Sequence, residues 1–125
     1  MWDDLNVSLL LGKTLTAIEQ NKDEELVFTL DTGERYKLHH YQDCCENVRI
    51  EDIEGRLEDL VGSPLTQAEE STSSTNPEGV EVPEYQDSFT WTFYKFATVK
   101  GYVTIRWYGS SNGYYSERVD FEKVA

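Results

Sequence analysis

Positive charge is scarce in this sequence. Lys and Arg total 11 against 24 Asp and Glu, a formal net charge of −13 over 125 residues, with an isoelectric point near 4.4. That balance excludes nonspecific binding to DNA and to anionic membranes, both of which need a broad positive field. Long apolar runs are also missing. No stretch approaches the roughly 20 residues of a membrane-spanning helix. The start, "MWDDLNVSLLLGK", lacks the basic residues and the longer apolar core of a secretion signal, so a cytoplasmic location is expected. Cysteine occurs only at the adjacent positions Cys44 and Cys45. Such a pair gives no C-x-x-C zinc pattern, and a disulfide between neighbours is geometrically unfavourable. The expectation is a reduced pair with at least one member buried, and no metal or cofactor. His39 and His40 stand nearby, but adjacent side chains on a strand point to opposite faces, one in and one out.

Catalytic signals are equally sparse. Gly12-Lys13-Thr14 looks like the tail of a phosphate-binding loop, but Val7 stands where its first glycine belongs. No serine or cysteine nucleophile has a supporting motif. Cys45 beside His40 is the sole candidate pair, and no catalytic residue is assigned. An enzyme, such as a small nucleotide-cleaving one, is therefore disfavoured.

What is present is a globular composition: 38% hydrophobic and 13% aromatic residues. The length fits one domain, residues 1–125. "KTLTAIEQ", "ELVFTL" and "RYKLHHY" alternate like the strands of a meander, with "DTGE" as a turn. The acidic stretch 43–70 holds a short strand around Val48, Ile50 and Ile53. One or two helical turns follow at Leu57, Leu60 and Val61, stopped by Gly62 and Pro64. "LTQAEES" then reads as a strand. Residues 71–87 are polar, with two prolines, and read as a mobile loop with little to bury. "SFTWTFYKFATV", "YVTIRWY" and "YYSERVDF" read as a second meander. The fold class expected is β-rich α+β: an antiparallel sheet of two meanders with a short helical insertion in the middle.

Charge is segregated along this chain. Ser88 to Ser116 contains no acid, carries a local charge of +3, and holds ten of the sixteen aromatic residues. Trp91, Phe93, Val103, Ile105 and Trp107 suit a core. The opposite faces then gather Tyr94, Tyr108, Tyr114, Arg106 and Arg118 beside the Asn112-Gly113 turn, which suits a type I′ hairpin. Rings stack on bases and guanidinium groups bind phosphate; a subunit interface uses the same residues. Arg106, Arg118, Tyr108, Asn112, Tyr114, Tyr94 and Lys95 are the candidate ligand-binding residues. Arg106 and Arg118 are expected as near neighbours across a hairpin, with an anion between them.

The stretches "HHYQDCCENVRIEDIEG" and "FTWTFYKFATVKGYVTIRWYGSSNGYYSERVDF", together about two-fifths of the chain, resemble the first family of phage Thoeris anti-defence proteins. The resemblance implies a signal sponge: an oligomeric protein in the cytoplasm of the infected bacterial host. Such a protein binds cyclic ADP-ribose isomers without cleaving them and, in some members, holds cyclic oligonucleotides at a separate site. The candidate site residues come from the aromatic patch and not from this resemblance. The alternative expectation is an acidic protein-binding inhibitor, or nucleic-acid mimic, built on residues 43–70.

Overall fold

Alternating apolar residues build eight strands in the computed structural model, which describes residues 5–82 and 87–124. They are β1 (Leu15–Asn21), β2 (Glu25–Leu30), β3 (Arg35–His39), β4 (Asn47–Glu54), β5 (Gln67–Ser73), β6 (Ser88–Thr98), β7 (Gly101–Ser111) and β8 (Asp120–Lys123). Sheet one has the order β1-β2-β3-β8 and sheet two the order β4-β7-β6-β5. All these strand pairings are antiparallel. The chain is thus β-rich, as expected. The helical insertion is one 3-10 turn, Leu57–Leu60, and a second such turn at Val7–Leu10 precedes β1.

The core lies between the sheets. Leu26, Phe28 and Leu30 of β2 and Tyr36 and Leu38 of β3 meet Tyr94 and Phe96 of β6 and Val103, Ile105 and Trp107 of β7. Phe28 and Phe96 touch across the gap, with ring centroids 5.5 Å apart. Burying side chains of this size stabilises a fold by about 1.5–3 kcal/mol each, before the entropy of ordering them.

The expected facing of β6 is half reversed. Register sets Phe96 opposite Val103, Tyr94 opposite Ile105 and Thr92 opposite Trp107, so Thr92, Tyr94 and Phe96 turn inward. Trp91 and Phe93 turn to the outer face of sheet two, with Arg106 and Tyr108. Trp91 is nevertheless 1% exposed. Part of its cover is the segment after β5: Trp91 Nε1 donates to Asn76 Oδ1 at 3.0 Å, and Glu81 and Val82 border a small void beside Trp91 and Tyr108. The described residues 71–82 are themselves exposed or half-buried. Ser71–Ser73 belong to β5, residues after them pack on Trp91, and residues 83–86 lie outside the described residues.

The second meander is corrected too. β8 does not pair with β7; it joins sheet one, with Leu38 opposite Phe121. Burying Phe121 against Tyr36 and Phe28 draws the chain end across to β3. Residues 112–119 are therefore a crossing connection and not the arm of a hairpin. Gly113 turns the chain with φ +96°, but Asn112 is not left-handed, so the type I′ turn is not formed. Instead Asn112 Oδ1 accepts from the Tyr114 N–H at 3.1 Å.

Candidate functional site

The seven candidate residues are dispersed by this fold. Arg106, Tyr108 and Lys95 lie on the outer face of sheet two, because each alternates with an inward residue. Tyr94 is fully buried in the core. Asn112, Tyr114 and Arg118 belong to the crossing connection, and Tyr114 is 91% exposed. Arg106 and Arg118 are not hairpin neighbours.

On the outer face the sequence builds a stacked cluster. A bulge in β4 places Glu51 and Asp52 together opposite Arg106, because the register slips between Ile50 and Asp52. Arg106 Nε and Nη2 each lie 2.6 Å from Glu51 Oε1, and Asp52 Oδ2 is 3.7 Å from Nη2. The Arg106 guanidinium also lies 5.6 Å from the Trp91 ring, Arg49 lies 5.3 Å from the Tyr108 ring, and the two rings are 4.6 Å apart. The guanidinium of Arg106 is thus engaged by two carboxylates and a ring. This cluster is a packed second layer.

A different region is open and polar. Thr90 and Thr92 share the inner side of β6 with Tyr94, and Glu70 and Thr72 of the edge strand β5 stand beside them. Together with Ser88 and residues 115–119 they enclose a cleft of about 310 Å³, at the small end of the range for ligand sites. Arg118 lines it, and its guanidinium makes no ion pair with a described residue. Glu117, on the same wall, accepts from Thr90 Oγ1 at 2.8 Å and Ser111 Oγ at 2.6 Å. Beside the cleft, the Tyr94 hydroxyl is buried without a hydrogen-bond partner among the described residues. Burial pushes this phenol above the ordinary tyrosine value; the nearby Glu70 pushes it further, and Arg118 acts in the opposite sense.

Two devices hold the cleft wall. Gly109 is one. A Cβ there would sit 2.7 Å from the Glu117 carbonyl oxygen, so only glycine lets the connection lie against β7. Gly109→Ala should lower unfolding free energy by about 1–3 kcal/mol, the usual cost of overpacking, read by urea denaturation. The second is Glu46, whose side chain is 1% exposed. It accepts from the backbone N–H of Cys44 at 2.9 Å and of Asp43 at 3.0 Å, and from His40 Nε2 at 2.8 Å. His40 Nδ1 in turn lies 2.7 Å from the Arg118 carbonyl oxygen. Both ring nitrogens of His40 thus lie within hydrogen-bond distance of an oxygen. Both histidine rings are buried, against the expected one in and one out.

Burial acts to raise the Glu46 carboxyl, but the Cys44 N–H, His40 and the Asp43 N–H outweigh it and hold the group down at about 2. A carboxyl lower in the folded than in the unfolded chain stabilises the fold above its unfolded value and loses that contribution as pH falls. Stability should therefore decline between the ordinary 4.5 and about 2, and Glu46→Gln should flatten that decline. Acid titration of the denaturation midpoint reads this directly; an unchanged slope would contradict the role of Glu46.

Cys44 and Cys45 form a vicinal disulfide, and both residues are exposed. The expected reduced and partly buried pair is thereby corrected, and no free thiol is left to pair with His40. Among the described residues no group of three or more His, Cys, Asp or Glu is placed to hold a metal ion, and no helix is long and apolar enough to cross a membrane. The cleft hydroxyls and Glu46 were not singled out from the sequence. The only signal was the alternation of Thr90 and Thr92 with Trp91, which places two polar side chains on one face.

The chain belongs to the family described as Domain of unknown function (DUF7448), whose model matches residues 8–121. No curated protein and no solved structure matches it.

Proposed function

We propose that this member of the DUF7448 family is a phage-encoded anti-defence protein of the infected host's cytoplasm. It sequesters a nucleotide second messenger, a cyclic ADP-ribose isomer or a cyclic oligonucleotide, and does not cleave it. The observation that carries this reading is Arg118, without an ion pair among the described residues, on the wall of a cleft lined by Ser and Thr side chains and by Glu70 and Glu117. A phosphate would take the guanidinium. Thr72, Thr90 and Ser116 would take ribose hydroxyls, and Tyr115 offers a ring to a base. A net charge of −13 does not forbid an anion, because a contact charge acts within a few ångströms while the distant charges are screened beyond about 8–10 Å. The resemblance to the Thoeris anti-defence proteins supports the same reading.

The test is retention. Protein incubated with each cyclic nucleotide is desalted and heat-denatured, and the supernatant is chromatographed. Intact nucleotide in the supernatant supports sequestration, and altered nucleotide means an enzyme. No retained nucleotide favours the second reading, an acidic inhibitor of a basic protein. That reading draws on the exposed carboxylates Glu54, Glu58, Glu69 and Glu70.

We also propose a homo-oligomer. The aromatic surplus of the last strands is partly covered by the chain itself at Trp91 and Tyr108, but Val99 and Tyr102 at the β6–β7 turn remain 83% and 71% exposed. Light scattering of dilute protein should give at least a dimer; a monomer mass would remove this part of the proposal.

A further inference from the structure

The Cys44–Cys45 disulfide stands at one end of a chain of contacts that finishes at the cleft. Closing the ring between adjacent residues restricts the backbone that presents the Asp43 and Cys44 N–H groups. Those groups are two of the donors that keep the Glu46 carboxylate buried. Glu46 holds His40, and His40 holds the Arg118 carbonyl. The side chain of Arg118 lines the cleft. Three short links therefore join an exposed sulfur pair to the ligand wall. Both cysteines are exposed residues, and exposed disulfides are the ones that exchange with outside thiols.

We propose that Cys44–Cys45 is a thiol–disulfide exchange site for small thiols, and that its reduction loosens the 116–119 connection through Glu46 and His40. A thiolate attacks one of the two sulfurs, forming a mixed disulfide, and the other cysteine leaves as a thiolate that takes up a proton. A second small thiol resolves the mixed disulfide. The balance is two electrons and two protons to the protein, with two small thiols oxidised to one disulfide. The reduced loop regains backbone freedom. Its N–H groups then no longer hold Glu46 in one place, and the anchor of His40 on residue 118 weakens. The exchange and the loosening do not depend on the nucleotide reading; only their consequence for ligand affinity does.

The experiment therefore uses no ligand. Air-oxidised protein is compared with protein treated with dithiothreitol, by alkylation mass and by amide hydrogen exchange. The oxidised protein should take no alkyl group and the reduced protein two, one for each cysteine. Reduction should speed exchange about tenfold at residues 43–44 and at 116–119. A Cys44→Ser/Cys45→Ser variant should show the fast exchange without reductant and no response to it. His40→Leu should keep the response at 43–44 and lose it at 116–119, where exchange is already fast. Two alkylated thiols in the air-oxidised protein would overturn the proposal. So would reduction that leaves 116–119 unchanged, or a His40→Leu variant that still transmits the response.

Discussion

Trp91→Ala should lower the unfolding free energy by about 3–5 kcal/mol, a large share of the roughly 5–15 kcal/mol that holds a small domain together. The reason is the outer layer of sheet two. Trp91 points away from the core between the sheets, yet it is as buried as the residues inside it. Asn76 takes its indole N–H, Tyr108 packs on its ring, and the Arg106 guanidinium approaches its face. Truncation removes the ring that this layer is built around and its hydrogen bond to Asn76 Oδ1. Trp91→Phe keeps most of the packing and should cost about 1 kcal/mol more than a conservative core exchange, the worth of the lost hydrogen bond. Guanidinium denaturation of both variants checks this. A loss below about 1 kcal/mol for the alanine variant would mean that the outer layer is a loose cover and not a second core.

Arg118→Ala and Arg106→Ala should fail in different ways. Arg106 is tied to Glu51 and Asp52 and lies over Trp91. Its removal strands a partly buried carboxylate and should cost about 1–3 kcal/mol of stability, with nucleotide affinity unchanged. Arg118 has no such ties for its guanidinium among the described residues, so its removal should leave stability nearly unchanged. Its expected loss is in affinity, by about 1.5–3 kcal/mol, the scale of a charged hydrogen bond, or roughly tenfold to hundredfold in Kd. The sequence alone gave the two arginines equal standing. The β4 bulge separates them, by giving one a pair of carboxylates.

Strand content was legible because alternation is a local property. "ELVFTL" and "RYKLHHY" announce β2 and β3 without reference to anything distant. The facing of β6 was not. "TWTFYKF" carries large rings at both sets of alternate positions, so no polar-apolar contrast marks the inner side. Pairing with Val103 and Ile105 decides it. The partner of β8 was misread for a related reason. Sequential strands usually pair, and Asn112-Gly113 is a strong turn signal, but burial of Phe121 beside Leu38 and Tyr36 rewards the longer crossing. Glu46 was hidden among many acids. Nothing in "DCCENVRIEDIEG" marks one glutamate as the buried member, since its burial depends on His40 and on the carbonyl of Arg118, far along the chain.

The central claim is that Arg118, which has no ion pair among the described residues, holds an anionic nucleotide in the polar cleft. The most direct measurement is calorimetric titration of a cyclic ADP-ribose isomer into the wild-type protein, Arg118→Ala and Arg106→Ala, each first shown to be folded. The account predicts binding by the wild type and by Arg106→Ala with similar affinity, and a tenfold to hundredfold weaker Kd for Arg118→Ala. Equal affinity in all three would contradict it, and a loss confined to Arg106→Ala would contradict it and move the site to the outer face of sheet two.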